Sequence, residues 1–94
     1  MSYAIELDTN VIDKMAEFSD VIQIGIERNL ARLAEAPVTL STKSGFPHPA
    51  TANGQRFTFD VDELDGVRHY FAAFFYYGSD EQHIRVFALT HTRF

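Results

Sequence analysis

The sequence predicts an α+β domain spanning residues 1–94: an N-terminal strand, a two-helix hairpin and an antiparallel three-stranded meander. Three observations predict it. Apolar residues between positions 20 and 36 recur at helical spacing, whereas those after position 55 alternate with polar ones at strand spacing. Pro37 stands where the helical pattern stops. Asp65-Gly66 and Gly78-Ser79 divide the alternating stretch into three runs.

Each element follows in order. Tyr3-Ala4-Ile5-Glu6-Leu7 alternates as a half-buried strand does. Asp8, Thr9 and Asn10 are candidate N-caps for a first helix, with Val11, Ile12, Met15 and Phe18 on one face. Ser19-Asp20 interrupts it. Asp20 with Gln23 three residues later reads as a capping box opening a second helix. Its stripe is Ile22, Ile26, Leu30, Leu33 and Ala34, while Glu27, Arg28, Arg32 and Glu35 face away. So short a break predicts an antiparallel hairpin; one kinked helix carries a similar pattern. Residues 38–54 are rich in Ser, Thr, Gly, Pro and Asn. Val38-Thr39-Leu40-Ser41 reads as a short strand and the remainder as a long loop centred on Phe46-Pro47-His48-Pro49, a lid or a rigid spacer.

Three strands complete the chain. Arg56-Phe57-Thr58-Phe59-Asp60-Val61 alternates cleanly; residues 67–77 and 82–92 follow. The 67–77 run is apolar on both faces, as a central strand is. Val67, Phe71, Ala73 and Phe75 share one face; Arg68, Tyr70, Ala72, Phe74 and Tyr76 share the other. A helix hairpin covers one face only. The second needs a loop, a partner or a second copy, and an exposed aromatic patch marks an interface.

Composition narrows the function. Without Cys the chain has no disulfide framework and no thiolate metal site. No secretory signal is visible after Met1, and no apolar run reaches the roughly 20 residues of a spanning helix, so the cytoplasm is the expected location. A net charge of −5 makes the whole surface a poor general nucleic-acid binder and puts weight on where each Arg sits.

The order β-α-α-β-β-β, with its Arg and His placements, resembles the RelE/ParE superfamily of toxins. Three stretches carry the likeness. Tyr3-Ala4-Ile5-Glu6-Leu7 with the helix pair is similar to the family's opening. Gly66-Val67-Arg68-His69-Tyr70-Phe71 is similar to its central strand. Ile84-Arg85-Val86-Phe87-Ala88-Leu89-Thr90-His91-Thr92-Arg93 is similar to its last strand, which ends in a basic cluster. The resemblance implies the toxin of a type II toxin–antitoxin (plasmid stabilisation) system with no cofactor. It implies a cognate antitoxin and either ribosome-bound mRNA or DNA gyrase as target, in a homodimer or toxin–antitoxin oligomer. RelE-like members inhibit translation by cleaving mRNA without a metal.

Metal-free RNA cleavage needs a base for the 2′-hydroxyl proton, an acid for the leaving 5′-oxygen and cations on the phosphate. With the resemblance, His91 is the expected acid or base, and Arg68 and Arg93 the phosphate ligands. His91 and Arg93 share strand parity, and Arg85 has the same parity. Arg56, Arg85 and Tyr70 are the expected RNA or phosphate contacts.

Other readings stand beside these. Arg68 can pair with Asp60, Asp62 or Asp65, and Tyr70 and Tyr76 can serve packing. His48, His69, His83 and His91 match no metal-ligand spacing, so no metal is expected. Asp60, Asp62, Glu63 and Asp65 read as a solvated turn and not a calcium loop. The acidic charge, Thr92 between the basic residues and the terminal Phe94 favour a non-catalytic protein-binding member of the same fold: a gyrase inhibitor or an inactive homologue. A small-molecule or homodimeric domain using the aromatic face is a third possibility.

Overall fold

The computed structural model describes residues 2–43, 54–64, 66–78 and 82–93. Strand β1 (Ala4–Leu7) leads into helices α1 (Thr9–Met15) and α2 (Asp20–Glu35), a single turn α3 (Pro37–Leu40) and a two-residue strand β2 (Thr42–Lys43). Then come β3 (Gln55–Asp62), β4 (Arg68–Tyr77) and β5 (His83–Arg93). One five-stranded sheet forms in the order β1-β5-β4-β3-β2. β1 runs parallel to β5, and the other pairs are antiparallel.

The helices cover one face. The α2 stripe is buried as its period requires: Ile22, Ile26, Leu30, Leu33 and Ala34 all face the sheet. Ile22, Ile26, Leu30 and Leu33 share one core with Phe57, Phe59 and Val61 of β3, Phe71, Ala73 and Phe75 of β4, and Ile84, Val86 and Leu89 of β5. Gly25 lets α2 lie close. A Cβ there would stand 2.4 Å from Val61 Cγ1.

Local capping differs from the expectation. Ser19, not Asp20, is the N-cap of α2; its hydroxyl accepts from the Ile22 amide at 3.5 Å. Gln23 is therefore one position beyond the capping-box site, and its side chain donates to the Phe18 carbonyl at 2.8 Å. In α1 only Val11 and Met15 are buried. Ile12 is 52% exposed, because seven residues present a narrow stripe and position 12 lies off it. The short strand expected over residues 38–41 is a helical turn instead. Pro37 sits at its first position, where a missing N–H costs nothing. The strand lies just beyond, as β2. The Phe46-Pro47-His48-Pro49 segment lies outside the described residues.

Two irregularities position the site. Between β3 and β4 the Gly66 amide donates to the Glu63 carbonyl at 3.0 Å, with Gly66 at φ +86°, a conformation that suits glycine. In β5 a bulge breaks the alternation. Phe74 pairs with Ala88 but Phe75 pairs with Val86, so Phe87 is the extra residue of the bulge. Its carbonyl accepts from Asn10 Nδ2 at 3.0 Å, which ties α1 to the bulge.

Candidate active site

Parity and the bulge decide which residues meet. Phe57, Phe59 and Val61 point to the helices, so Arg56, Thr58, Asp60 and Asp62 point away. On β4 the same rule turns His69 inward with Phe71, and Arg68 and Tyr70 outward. On β5, Ile84 and Val86 face the core and Arg85 faces out. After the bulge Leu89 and His91 face the helix side. The equal parity expected for Arg85 and His91 therefore fails, because the extra residue at Phe87 shifts the phase between them. The residues expected to form one cluster are divided between two faces of the sheet.

The outer face carries ion pairs. Arg68 Nε lies 2.9 Å from Asp62 Oδ1 and 3.5 Å from Asp60 Oδ2, two of the three carboxylates the sequence offered it. The Asp62 hydrogen bond, with Tyr70 beside it, raises the guanidinium above its ordinary value. Arg85 is held in the same way: Nε bonds Asp8 Oδ1 at 2.5 Å and Nη1 reaches Glu6 Oε2 at 3.1 Å. The Asp8 bond is the largest cause of its raised pKa. Tyr70 is 40% exposed and lines an open groove of about 460 Å³ with Thr58, Asp60 and Ala72. Arg56 is exposed beyond it, opposite Phe74. The aromatic patch expected here is partly closed: Phe74 is only 7% exposed and meets Phe87 at 6.5 Å, with Tyr76 on the same ring at 5.9 Å.

The helix face carries a hydrogen-bonded chain the sequence reading missed. His69, only 4% exposed, places Nε2 2.5 Å from Glu63 Oε1 and Nδ1 2.7 Å from His91 Nε2. His91 pairs with Phe71 and His69 pairs with Arg93, so the two histidines are diagonal neighbours on one face. Phe18, in the link between α1 and α2, stands edge-on to His91 at 4.7 Å. Phe71 lies 5.0 Å from the same ring. Lys14 stands over Phe18 at 5.9 Å, bringing a cation to this end of the sheet. The backbone of Arg93 ends β5 opposite His69. Among the described residues no group of His, Asp and Glu is arranged to hold a metal; here the two imidazoles aim nitrogens at each other.

A signal for this chain was present. His69 shares parity with Phe71, Ala73 and Phe75, so a titratable ring was bound for the core and needed polar partners there. Glu63, in the adjoining turn, supplies one of them.

The fold is similar to that of an E. coli RelE toxin, an arginine-to-alanine double mutant in the free state. The TM-score is 0.62 at 10% identity, over 95% of this chain and 82% of that one. No protein-family model matches the chain, and no curated protein matches it. Among the described residues no helix is long and apolar enough to cross a membrane. At such low identity the likeness is one of fold, and it covers nearly the whole chain: this protein has a RelE-like fold.

Proposed function

We propose that this chain is the toxin of a type II toxin–antitoxin pair, acting as a metal-independent, ribosome-associated mRNA endoribonuclease. The observation that carries the reading is the Glu63–His69–His91 chain at one end of a RelE-like sheet. A buried histidine held between a carboxylate and a second imidazole costs desolvation, and proton transfer is a use for it. His91 is the acid or base. Arg93, at the end of the same strand, holds the scissile phosphate. Arg68, Arg56, Arg85 and Tyr70, on the far face, take flanking backbone and bases. A cognate antitoxin is the expected cellular partner, in a toxin–antitoxin oligomer in the cytoplasm.

The test is to incubate the purified protein with translating ribosomes and map new mRNA 5′ ends, with His91→Ala alongside. General acid–base catalysis contributes about 10²–10⁴ in rate, so the variant should lose cleavage by that order. Absence of new ends, or the same ends from His91→Ala, would sink the reading.

One observation favours a second reading, a non-catalytic protein-binding member such as a gyrase inhibitor or inactive homologue. Arg68 and Arg85 are both engaged by carboxylates on the face where nucleic acid would need free cations, in a chain of net charge −5. It predicts inhibition of gyrase supercoiling, or tight binding of a co-encoded protein, that His91→Ala leaves unchanged.

A further inference from the structure

The net charge of −5 is unevenly spread along the chain. No Asp or Glu occurs between Glu35 and Asp60, a stretch that contains Lys43, His48 and Arg56. The fold brings two more cations to Arg56. Gly25 of α2 stands against Val61 of β3, and the Arg32 guanidinium lies over the Phe57 ring at 5.5 Å. Helix α2 therefore runs along β3 in the opposite sense. Gly25, Arg28 and Arg32 fall at i, i+3 and i+7, which is one flank of the helix, so Arg28 lies between those two contacts. Asp20 and Glu27 fall on the other flank. Arg56 precedes Phe57 on β3 and projects from the outer face. Beyond β3, β2 pairs only with Gln55 and Arg56. Three arginines thus gather around one edge of the sheet.

Their surroundings set them apart from the other cations. Arg68 and Arg85 each lie between two carboxylates, and Lys14 reaches Glu17. Among the described residues no carboxylate pairs with Arg28, Arg32 or Arg56, and all three are exposed. Even Glu35, three residues on from Arg32, forms no ion pair with it. The Phe57 face holds the Arg32 guanidinium without using its N–H donors. Arg28 and Arg32 are about 6 Å apart along the helix axis, a step comparable with that between neighbouring phosphates of an extended strand. Guanidinium forks bind phosphate oxygens in pairs.

We propose that Arg28, Arg32 and Arg56 form a phosphate track for single-stranded RNA along the β3 edge of the sheet. The identity of the strand as RNA rests on the nuclease reading; the track itself does not. A chain that is acidic as a whole repels nucleic acid, and a local row of unneutralised arginines confines a bound strand to one edge. The regular step between Arg28 and Arg32 suits a backbone whose charges repeat at fixed intervals.

The test uses the full chain and a fluorescent 2′-O-methyl RNA oligonucleotide, which cannot be cleaved because its 2′-oxygen carries no proton. The wild type should bind it, with an affinity that falls as salt rises. Arg28→Gln combined with Arg32→Met, which keeps a stem over Phe57, should weaken binding at low salt by roughly tenfold or more and flatten the slope of log affinity against log salt by roughly 0.7 for each arginine. Arg28→Lys combined with Arg32→Lys should keep the slope. Unchanged affinity and slope in the Gln/Met variant overturn the proposal, as does a wild type that binds no RNA at low salt. Equal binding of polyglutamate, lost in the same variant, overturns RNA as the partner and assigns the edge to an acidic protein. If the wild type binds the oligonucleotide through these arginines yet cuts no ribosome-bound mRNA, the nuclease reading fails and the track stands. The two failures are thereby told apart.

Discussion

Arg68 and His69 are adjacent in sequence and lie on opposite faces of the same strand. Arg68 sits in water between Asp60 and Asp62, its charge met by carboxylates that solvent also reaches. His69 is buried between Glu63 and His91 with aromatic rings around it. The outer face therefore holds exchangeable ion pairs of the kind that contribute little to stability. The helix face holds a polar chain whose geometry is set by packing, and any broken link leaves an unsatisfied buried group. Charge alone points to the outer face as the site. In the nuclease reading proposed above, the helix face does the chemistry and the outer face makes contact.

The largest way to break that contrast is in β3, where Phe57 and Thr58 are also neighbours on opposite faces. Phe57 is fully buried, so Phe57→Ala should cost about 3–5 kcal/mol in denaturant unfolding. Thr58→Ala, on the exposed face, should stay within about 0.5 kcal/mol. Equal losses would mean that the outer face is packed as the helix face is.

A smaller effect sharpens the claim that α2 is seated directly on the sheet. Gly25→Ala puts a methyl against Val61, and overpacking of roughly 1–3 kcal/mol should outweigh the roughly 1 kcal/mol of helix propensity it gains. Adding Val61→Ala removes the methyl it strikes, so the double variant should be more stable than the sum of the singles predicts. Strict additivity in the double-mutant cycle would contradict the contact.

The smallest effect concerns Tyr77, at the opposite end of β4. Burial, with the Tyr3 ring 5.9 Å away, raises its phenol above the ordinary value of 10.0. A raised acid binds its proton more tightly when folded. Its contribution is full below about pH 10 and is lost as pH climbs through the folded value. Tyr77→Phe should flatten the alkaline limb of the stability profile and leave neutral pH nearly unchanged.

Much of this was legible in the sequence. The α2 stripe and the three long strands could be read because each sustains one period over many residues, and burial rewards that period. The exposed Ile12 could not, since a seven-residue helix gives too few turns to define its face. The bulge at Phe87 carries no glycine or proline, and its support comes from Asn10, far away in sequence. That single residue puts Arg85 and His91 on opposite faces despite their equal parity in the sequence. His69 has core parity in the sequence, but its partners Glu63 and His91 come from a turn and from another strand. The pairing with His91 follows only from the register of β4 against β5.

The central claim is that the two faces play different parts, and single-turnover cleavage of ribosome-bound mRNA by His91→Ala and Arg68→Ala tests it most directly. His91→Ala should lower the rate constant at saturating substrate by about 10²–10⁴. Arg68→Ala should leave that rate constant unchanged and raise the substrate concentration needed to reach it. An equal fall in the saturating rate for both variants would mean that Arg68 and His91 act on one phosphate, and the division of the site between two faces would be wrong.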